Sequence, residues 1–298
     1  MPLNATAERF LSLSLSEQKR HVRRCRRIRY VAGDAFMRRA HDLHHHQYER
    51  RSLCLALVGS SWLGKSTLLE WIYDDARKAS PQGVSAIHIE VGPNWTLNSL
   101  YNACLTALHA PVSAKGDPEM KFAALCRTLT AKRTTLVLID ELHELATCQP
   151  RTLPKLLAGL KKICNIPGIT VIVSGLESVM DLLRNYQQLA TRFEVHRLQP
   201  WEENQEYYNF IASYLTDFPL PDADDLLSPN SDLAAKLLVL SNNCIGACTE
   251  MLCEAACHAL DEGRAGITEQ DILRAKRVWE DKQTTKLQSR PPRHRHSP

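Results

Sequence analysis

Leu55 to Thr67 read LALVGSSWLGKST, and within them Gly59-x-x-x-x-Gly64-Lys65-Ser66 has the spacing of a phosphate-binding loop. Glycines at both ends let backbone N–H groups turn inward around phosphates, and a following helix adds partial positive charge at its N-terminus. Ser60, Ser61, Trp62 and Leu63 fill the loop, and Thr67 follows it. Lys65 can reach the β- and γ-phosphates of ATP, and the Ser66 hydroxyl can ligate Mg²⁺. The flanks match: an apolar run, Leu53–Val58, supplies a strand before the loop, and an amphipathic run, Thr67–Ala76, supplies a helix after it. A plain glycine turn is the alternative, and the strand–loop–helix context favours the phosphate loop.

Thr135 to Glu141 read TLVLIDE, an apolar run ending in adjacent acids. Such a run suits a central parallel strand buried on both faces. Ligands of these sheets bind at the carboxyl ends of the strands. Asp140 is therefore expected beside the Lys65–Ser66 turn, holding Mg²⁺ through water, with Glu141 polarising the attacking water. His143 and Glu144 extend the run to DELHE. No second histidine lies one turn away to make a metal pair, so His143 is expected to pack beside the site or couple it to a neighbouring segment.

The elements that must position these residues are legible from 52 to 200. Strand candidates are Leu53–Val58, Val84–Val91, Thr135–Ile139, Thr170–Ser174 and Glu194–Leu198, with helical patterns between them, the last over Leu176–Leu189. That alternation predicts a parallel five-stranded sheet flanked by helices. After Trp201 the signals are wholly helical. The expected organisation is a basic helical segment over 1–50, an α/β nucleotide domain over 51–200, a helical lid over 201–281 and a disordered tail over 282–298. A nucleotide domain followed by a small C-terminal helical lid is the layout of AAA+ P-loop NTPases. In that layout Ser174, closing TVIVS, falls at the sensor-one position. Arg192, just before the last strand, falls where an arginine finger reaches the nucleotide of a neighbouring subunit.

The chain has 298 residues, 44% apolar and 23% charged, which is ordinary for a globular protein. No apolar stretch approaches the roughly 20 residues of a membrane span, and MPLNATAERF has no signal-peptide pattern. A cytoplasmic protein without a membrane partner is expected, its ten cysteines mostly thiols. Cys244, Cys248, Cys253 and Cys257 recur at helical spacing, as small hydrophobes on a helix face do. The net charge of +4 hides an asymmetry: residues 1–51 hold twelve Lys/Arg against five Asp/Glu, and the remainder 25 against 28. The excess is concentrated in Lys19–Arg29, a segment suited to polyanions or an acidic partner surface.

Ile87–Val91 followed by Trp95–Tyr101, then LHAPVSAKG, TLVLIDELHEL, GITVIVSGLE and LATRFEVHRLQPW resemble the TniB/TnsC family of AAA+ transposition regulators, over roughly residues 20–275. The resemblance implies an ATPase that assembles into rings or filaments on double-stranded DNA and bridges a target selector to a DDE transposase. It implies P-loop roles for Gly59, Gly64, Lys65 and Ser66, and Walker B roles for Asp140 and Glu141. It also implies a sensor role for Ser174 and a finger role for Arg192. The family contacts DNA through the region between the second strand and Walker B, where this chain offers Asn98, Lys115, Lys121 and Arg127. Two departures stand out: the bulky Trp62 within the P-loop, and Ala247 where many AAA+ proteins place a sensor-two arginine. Slow or partner-stimulated hydrolysis follows from them. Two rival readings share parts of this pattern. A helicase loader or replication initiator shares the fold and the DNA. A signalling switch shares ATP-controlled self-association and dispenses with DNA.

Overall fold

The structure, a computed structural model, describes residues 9–24, 26–45, 54–79, 83–113, 116–228 and 231–288. They fall into two compact units, Val31–Gln199 and Met1–Tyr30 with Pro200–Pro298. The first fifty residues are thus divided at Tyr30 between the two.

The first unit is built on five parallel strands: β1 (Cys54–Val58), β2 (Ala86–Glu90), β3 (Leu136–Asp140), β4 (Thr170–Gly175) and β5 (Phe193–Arg197). Their order across the sheet is β2-β3-β4-β1-β5. The three central strands are buried at every residue, as their unbroken apolar runs require. The edge strands carry the half-buried and exposed positions, including Glu90 at the end of β2. Parallel neighbours need crossovers, and the helices Lys65–Ala79, Leu97–Ala107, Pro118–Lys132 and Leu153–Cys164 supply them. The helix expected over 176–189 is two short helices, Ser178–Arg184 and Gln187–Ala190, because Tyr186 takes a non-helical backbone at φ −123°, ψ 77°.

The helix Val31–His45 is tied to the amino ends of the strands. Arg39 forks onto the Glu194 carboxylate at 2.6–3.0 Å. His44 meets the Thr135 hydroxyl at 2.7 Å, and the Thr170 hydroxyl donates to the Leu43 carbonyl at 3.2 Å.

The second unit packs Leu15–Val22, Gln205–Leu215, Leu233–Leu240, Ile245–Asp261 and Glu269–Gln288 around Leu215, Phe218, Leu237, Met251 and Leu252. Here the basic segment is put to internal use. Lys19 pairs with Asp261 at 2.7 Å, Arg23 with Glu254 at 3.3 Å and Arg26 with Asp217 at 2.8 Å. The Arg26 guanidinium also lies 5.3 and 5.0 Å from the Tyr214 and Phe218 ring centres, a cation–π arrangement worth ~1 kcal/mol. Three cations of the Lys19–Arg29 segment are thus paired within the unit, and Arg20, Arg23 and Arg24 are exposed. The disordered-tail expectation is corrected too: the last helix runs on to Gln288, with the Lys282 ammonium 3.1 Å from both Glu250 and Glu254. Residues 289–298 lie outside the described residues. Ala247, Cys248 and Cys257 are buried in the helix Ile245–Asp261. No described helix is long and apolar enough to cross a membrane.

Candidate nucleotide site

The phosphate loop leaves β1 at Val58 and enters the helix at Lys65. Its glycines have different reasons to be there. A Cβ on Gly59 would lie 2.7 Å from the Leu198 carbonyl oxygen and 3.1 Å from Leu63 Cδ1. Gly64 has a left-handed backbone, φ 85°, which favours glycine. Leu63 is buried and plugs the loop from below, Ser60, Ser61 and Ser66 are exposed, and Thr67 is half-buried. Trp62, half-buried, also takes a left-handed backbone at φ 67°, an uncommon state for a bulky residue. The Lys65 side chain is 6% exposed, and its ammonium donates to the Gly59 and Ser60 carbonyls at 2.9 and 2.6 Å. The loop thereby fixes its own charge at the N-terminus of the helix.

The insertion of β4 between β1 and β3 assembles the rest. Ser174 is paired in register with Leu57, and the Gly59 N–H donates to the Gly175 carbonyl at 3.3 Å. On the other side, the Ser174 hydroxyl donates to Asp140 Oδ1. Asp140, 4% exposed, accepts there also from the Glu141 N–H at 2.8 Å. Mg²⁺ takes carboxylate and hydroxyl oxygens, the donor types of the buried Asp140, held by two hydrogen bonds, and of the exposed Ser66.

Glu141 follows β3 in a left-handed backbone, φ 56°, ψ 34°, a conformation costing of order 1 kcal/mol for a non-glycine residue. Burial pushes its carboxyl above the ordinary glutamate range; His143 and Lys65 pull it back, and Asp140 and Glu90 push it up further. Glu90 was not singled out by sequence reasoning. Its signal was positional: β2 pairs in register with β3, so Glu90 stands opposite Asp140 at the carboxyl edge. His143 Nε2 lies 3.3 Å from Glu141 Oε2. Among the described residues, one group of side chains is close enough to share a metal ion, and it is Glu141, His143 and Glu144. The cysteines do not enter it.

Arg192 lies elsewhere. It precedes β5, its carbonyl accepts from the Cys54 N–H at 2.9 Å, and its side chain is half-buried. Cys54 opens β1 and the phosphate loop closes it, so Arg192 occupies the opposite end of the sheet, ~13 Å away along a five-residue strand.

The expected DNA contacts separate into three cases. Asn98 Nδ2 donates to the Gly116 carbonyl at 3.3 Å, and the Lys121 ammonium to the Ser113 carbonyl at 2.8 Å. Both side chains brace the connection between Leu97–Ala107 and Pro118–Lys132, and Lys121 is buried. Arg127 is exposed. Lys115 lies outside the described residues.

Solved structures share this fold. The ORC1 protein of Aeropyrum pernix in complex with DNA is similar over 92% of this chain and 72% of that one, at 14% identity and a TM-score of 0.70. The ORC2 protein of Aeropyrum pernix, in ADPNP–ADP complexes, is similar over 87% and 70%, at 16% identity and a TM-score of 0.61. Domain III of the Thermotoga maritima replication initiation protein DnaA is similar over 94% and 99%, at 13% identity and a TM-score of 0.56. No curated protein matches the chain. A family model described as bacterial TniB protein matches residues 18–203, more than half of the sequence, and the chain therefore belongs to the TniB family, on an AAA+ P-loop ATPase fold.

Proposed function

We propose that this protein is an ATP-dependent, DNA-binding AAA+ regulator of transposition. It binds Mg²⁺–ATP, oligomerises as a ring or filament on duplex DNA, and links a target selector to a DDE transposase. The observation that carries this reading is the convergence of Lys65, Ser174, Asp140 and Glu141 at the carboxyl end of one sheet in a chain of the TniB family.

Gly59 to Thr67 wrap the phosphates with backbone N–H groups, and Lys65 turns from its loop carbonyls to the β- and γ-phosphates. Mg²⁺ held by Ser66 and Asp140 supplies charge neutralisation when bound. Glu141 orients a water whose oxygen attacks the γ-phosphorus as the bond to the β-phosphate oxygen breaks, releasing ADP and phosphate. A raised Glu141 carboxyl is a better proton acceptor than an ordinary one. Ser174 holds Asp140 in place. Arg192 reaches the nucleotide of an adjacent copy and stabilises charge there.

The nucleotide reading is supported by the ADPNP–ADP complexes of the Aeropyrum ORC2 protein, and the DNA reading by the DNA complex of its ORC1 protein. Contacts to DNA are to phosphates, since a target regulator must accept many sequences. Arg127, on the helix Pro118–Lys132, and Lys115 are offered first, with Asn98 and Lys121 bracing the connection that precedes that helix. The test is an ATP titration followed by duplex anisotropy with a non-hydrolysable analogue at several salt concentrations. Lys65→Ala should lose ATP binding. Glu141→Gln should keep it and lose turnover. Duplex affinity should require nucleotide and fall with a log–log salt slope near −0.9 per phosphate contacted. Equal ATP affinity in wild type and Lys65→Ala would sink the reading.

A further inference from the structure

The ATPase roles leave two polar side chains of the DELHEL run, His143 and Glu144, without a task. His143 Nε2 lies 3.3 Å from Glu141 Oε2 and 3.8 Å from Glu144 Oε1. Its other ring nitrogen, Nδ1, is buried without a hydrogen-bond partner. That asymmetry decides how the ring is used. A proton on Nε2 faces the Glu141 carboxylate, whereas a proton on Nδ1 would be buried with no acceptor.

The ring is also held from behind. A Cβ on Gly175 would lie 3.2 Å from the His143 backbone nitrogen, 3.3 Å from Nδ1 and 2.7 Å from Val179 Cγ2. The glycine that follows Ser174 therefore lets the Glu141–His143 turn settle against the end of β4. Glu141 itself stands on a left-handed backbone, where its long side chain has several rotamers open to it.

We propose that His143 is a positioning residue for hydrolysis: its Nε2–H donates to Glu141 and holds that carboxylate in the orientation from which it addresses the attacking water. Glu144, 3.8 Å from the same nitrogen, adds negative charge on that side of the ring and favours a proton on Nε2. This rests on the ATPase reading of the site. It also sets the acid beside the sensor strand, because the ring faces Glu141 with one nitrogen and would meet a Cβ on Gly175 with the other.

The test uses the full chain with His143→Ala, His143→Gln and His143→Asn. Glutamine carries an amide nitrogen out to the Nε2 position, while asparagine reaches only the Nδ1 position. His143→Ala should lower kcat about tenfold or more, the worth of a hydrogen bond to a charged group, with ATP affinity and Tm unchanged. His143→Gln should recover most of the rate and His143→Asn little. In a Glu141→Gln background His143→Ala should not lower the residual turnover further, because the group it positions is gone. Wild-type kcat in His143→Ala overturns the inference alone. So does a loss of ATP affinity or Tm in step with kcat, which a purely packing role would give. A wild-type protein that never turns over ATP overturns the ATPase reading and this inference with it.

Discussion

One methyl group at Gly59 would meet a backbone carbonyl at 2.7 Å, and the obstacle cannot rotate away as a side chain would. Gly59→Ala should therefore shift the loop off its fold, destabilise the unit by ~1–3 kcal/mol and abolish ATP binding, read by thermal melts and titration. Wild-type Tm and affinity would refute the packing account. Ser174→Ala removes one of two donors from the buried Asp140 carboxylate. Hydrogen bonds to charged groups are worth about 1.5–3 kcal/mol, so Tm should fall and the Mg²⁺ concentration for half-maximal turnover should rise. Placements that follow from the chain within a few positions were legible: the left-handed turn at Gly64, Lys65 and Ser66 opening the helix, and Asp140 closing a buried strand. Bonds that need the third dimension were not. The Ser174 hydroxyl finds Asp140 because β4 lies between two other strands. Lys121 turns inward because Ser113, eight residues earlier, offers it a carbonyl. No pattern of residue types distinguishes that lysine from one facing solvent.

At the scale of the element, the last helix is held at its start by Asp271. This carboxylate is fully buried and accepts from Arg264 twice at 2.6 Å, from the Thr268 N–H at 2.8 Å, from the Thr268 hydroxyl at 2.7 Å, and from His258. Burial pushes its acidity the other way, but the bonds from Arg264, His258 and Thr268 outweigh it and hold the carboxyl well below the ordinary aspartate range. A depressed folded-state pKa gives stability that is present above the unfolded value, about 3.9, and is lost as pH falls towards the folded one. Asp271→Asn should thus cost about 3 kcal/mol near neutrality, as breaking a buried ion pair does. The difference from wild type should shrink as pH drops below about 4, measured by denaturant melts across pH. A gap constant down to pH 2 would mean that charge plays no part. Strand existence was readable because an unbroken apolar run admits little else. Helix extent was not: Lys282 continues the helix on partners 28 and 32 residues away, and Tyr186 breaks one that the apolar pattern carries straight through.

At the scale of the whole molecule, the proposed assembly asks Arg192 to work in trans. Arg192→Ala should spare ATP binding by single copies and lower turnover. Mixing equal amounts of Arg192→Ala and Glu141→Gln chains should restore about a quarter of the sites, those in which an intact Glu141 faces an intact Arg192 across a head-to-tail interface. No recovery with assembly intact would rule out the trans role. The placement of the phosphate loop and Arg192 at opposite ends of one parallel sheet has a further consequence for such an assembly: it is polar. Every copy has a face that supplies an arginine and a face that receives one, so a closed ring of n copies completes n sites, while an open row completes n − 1 and leaves one terminus unfinished. Turnover per subunit should then climb with filament length and level off. An Arg192→Ala chain added at the supplying end would leave the next junction nucleotide-bound and slow to hydrolyse, a terminus chemically different from the one at the other end.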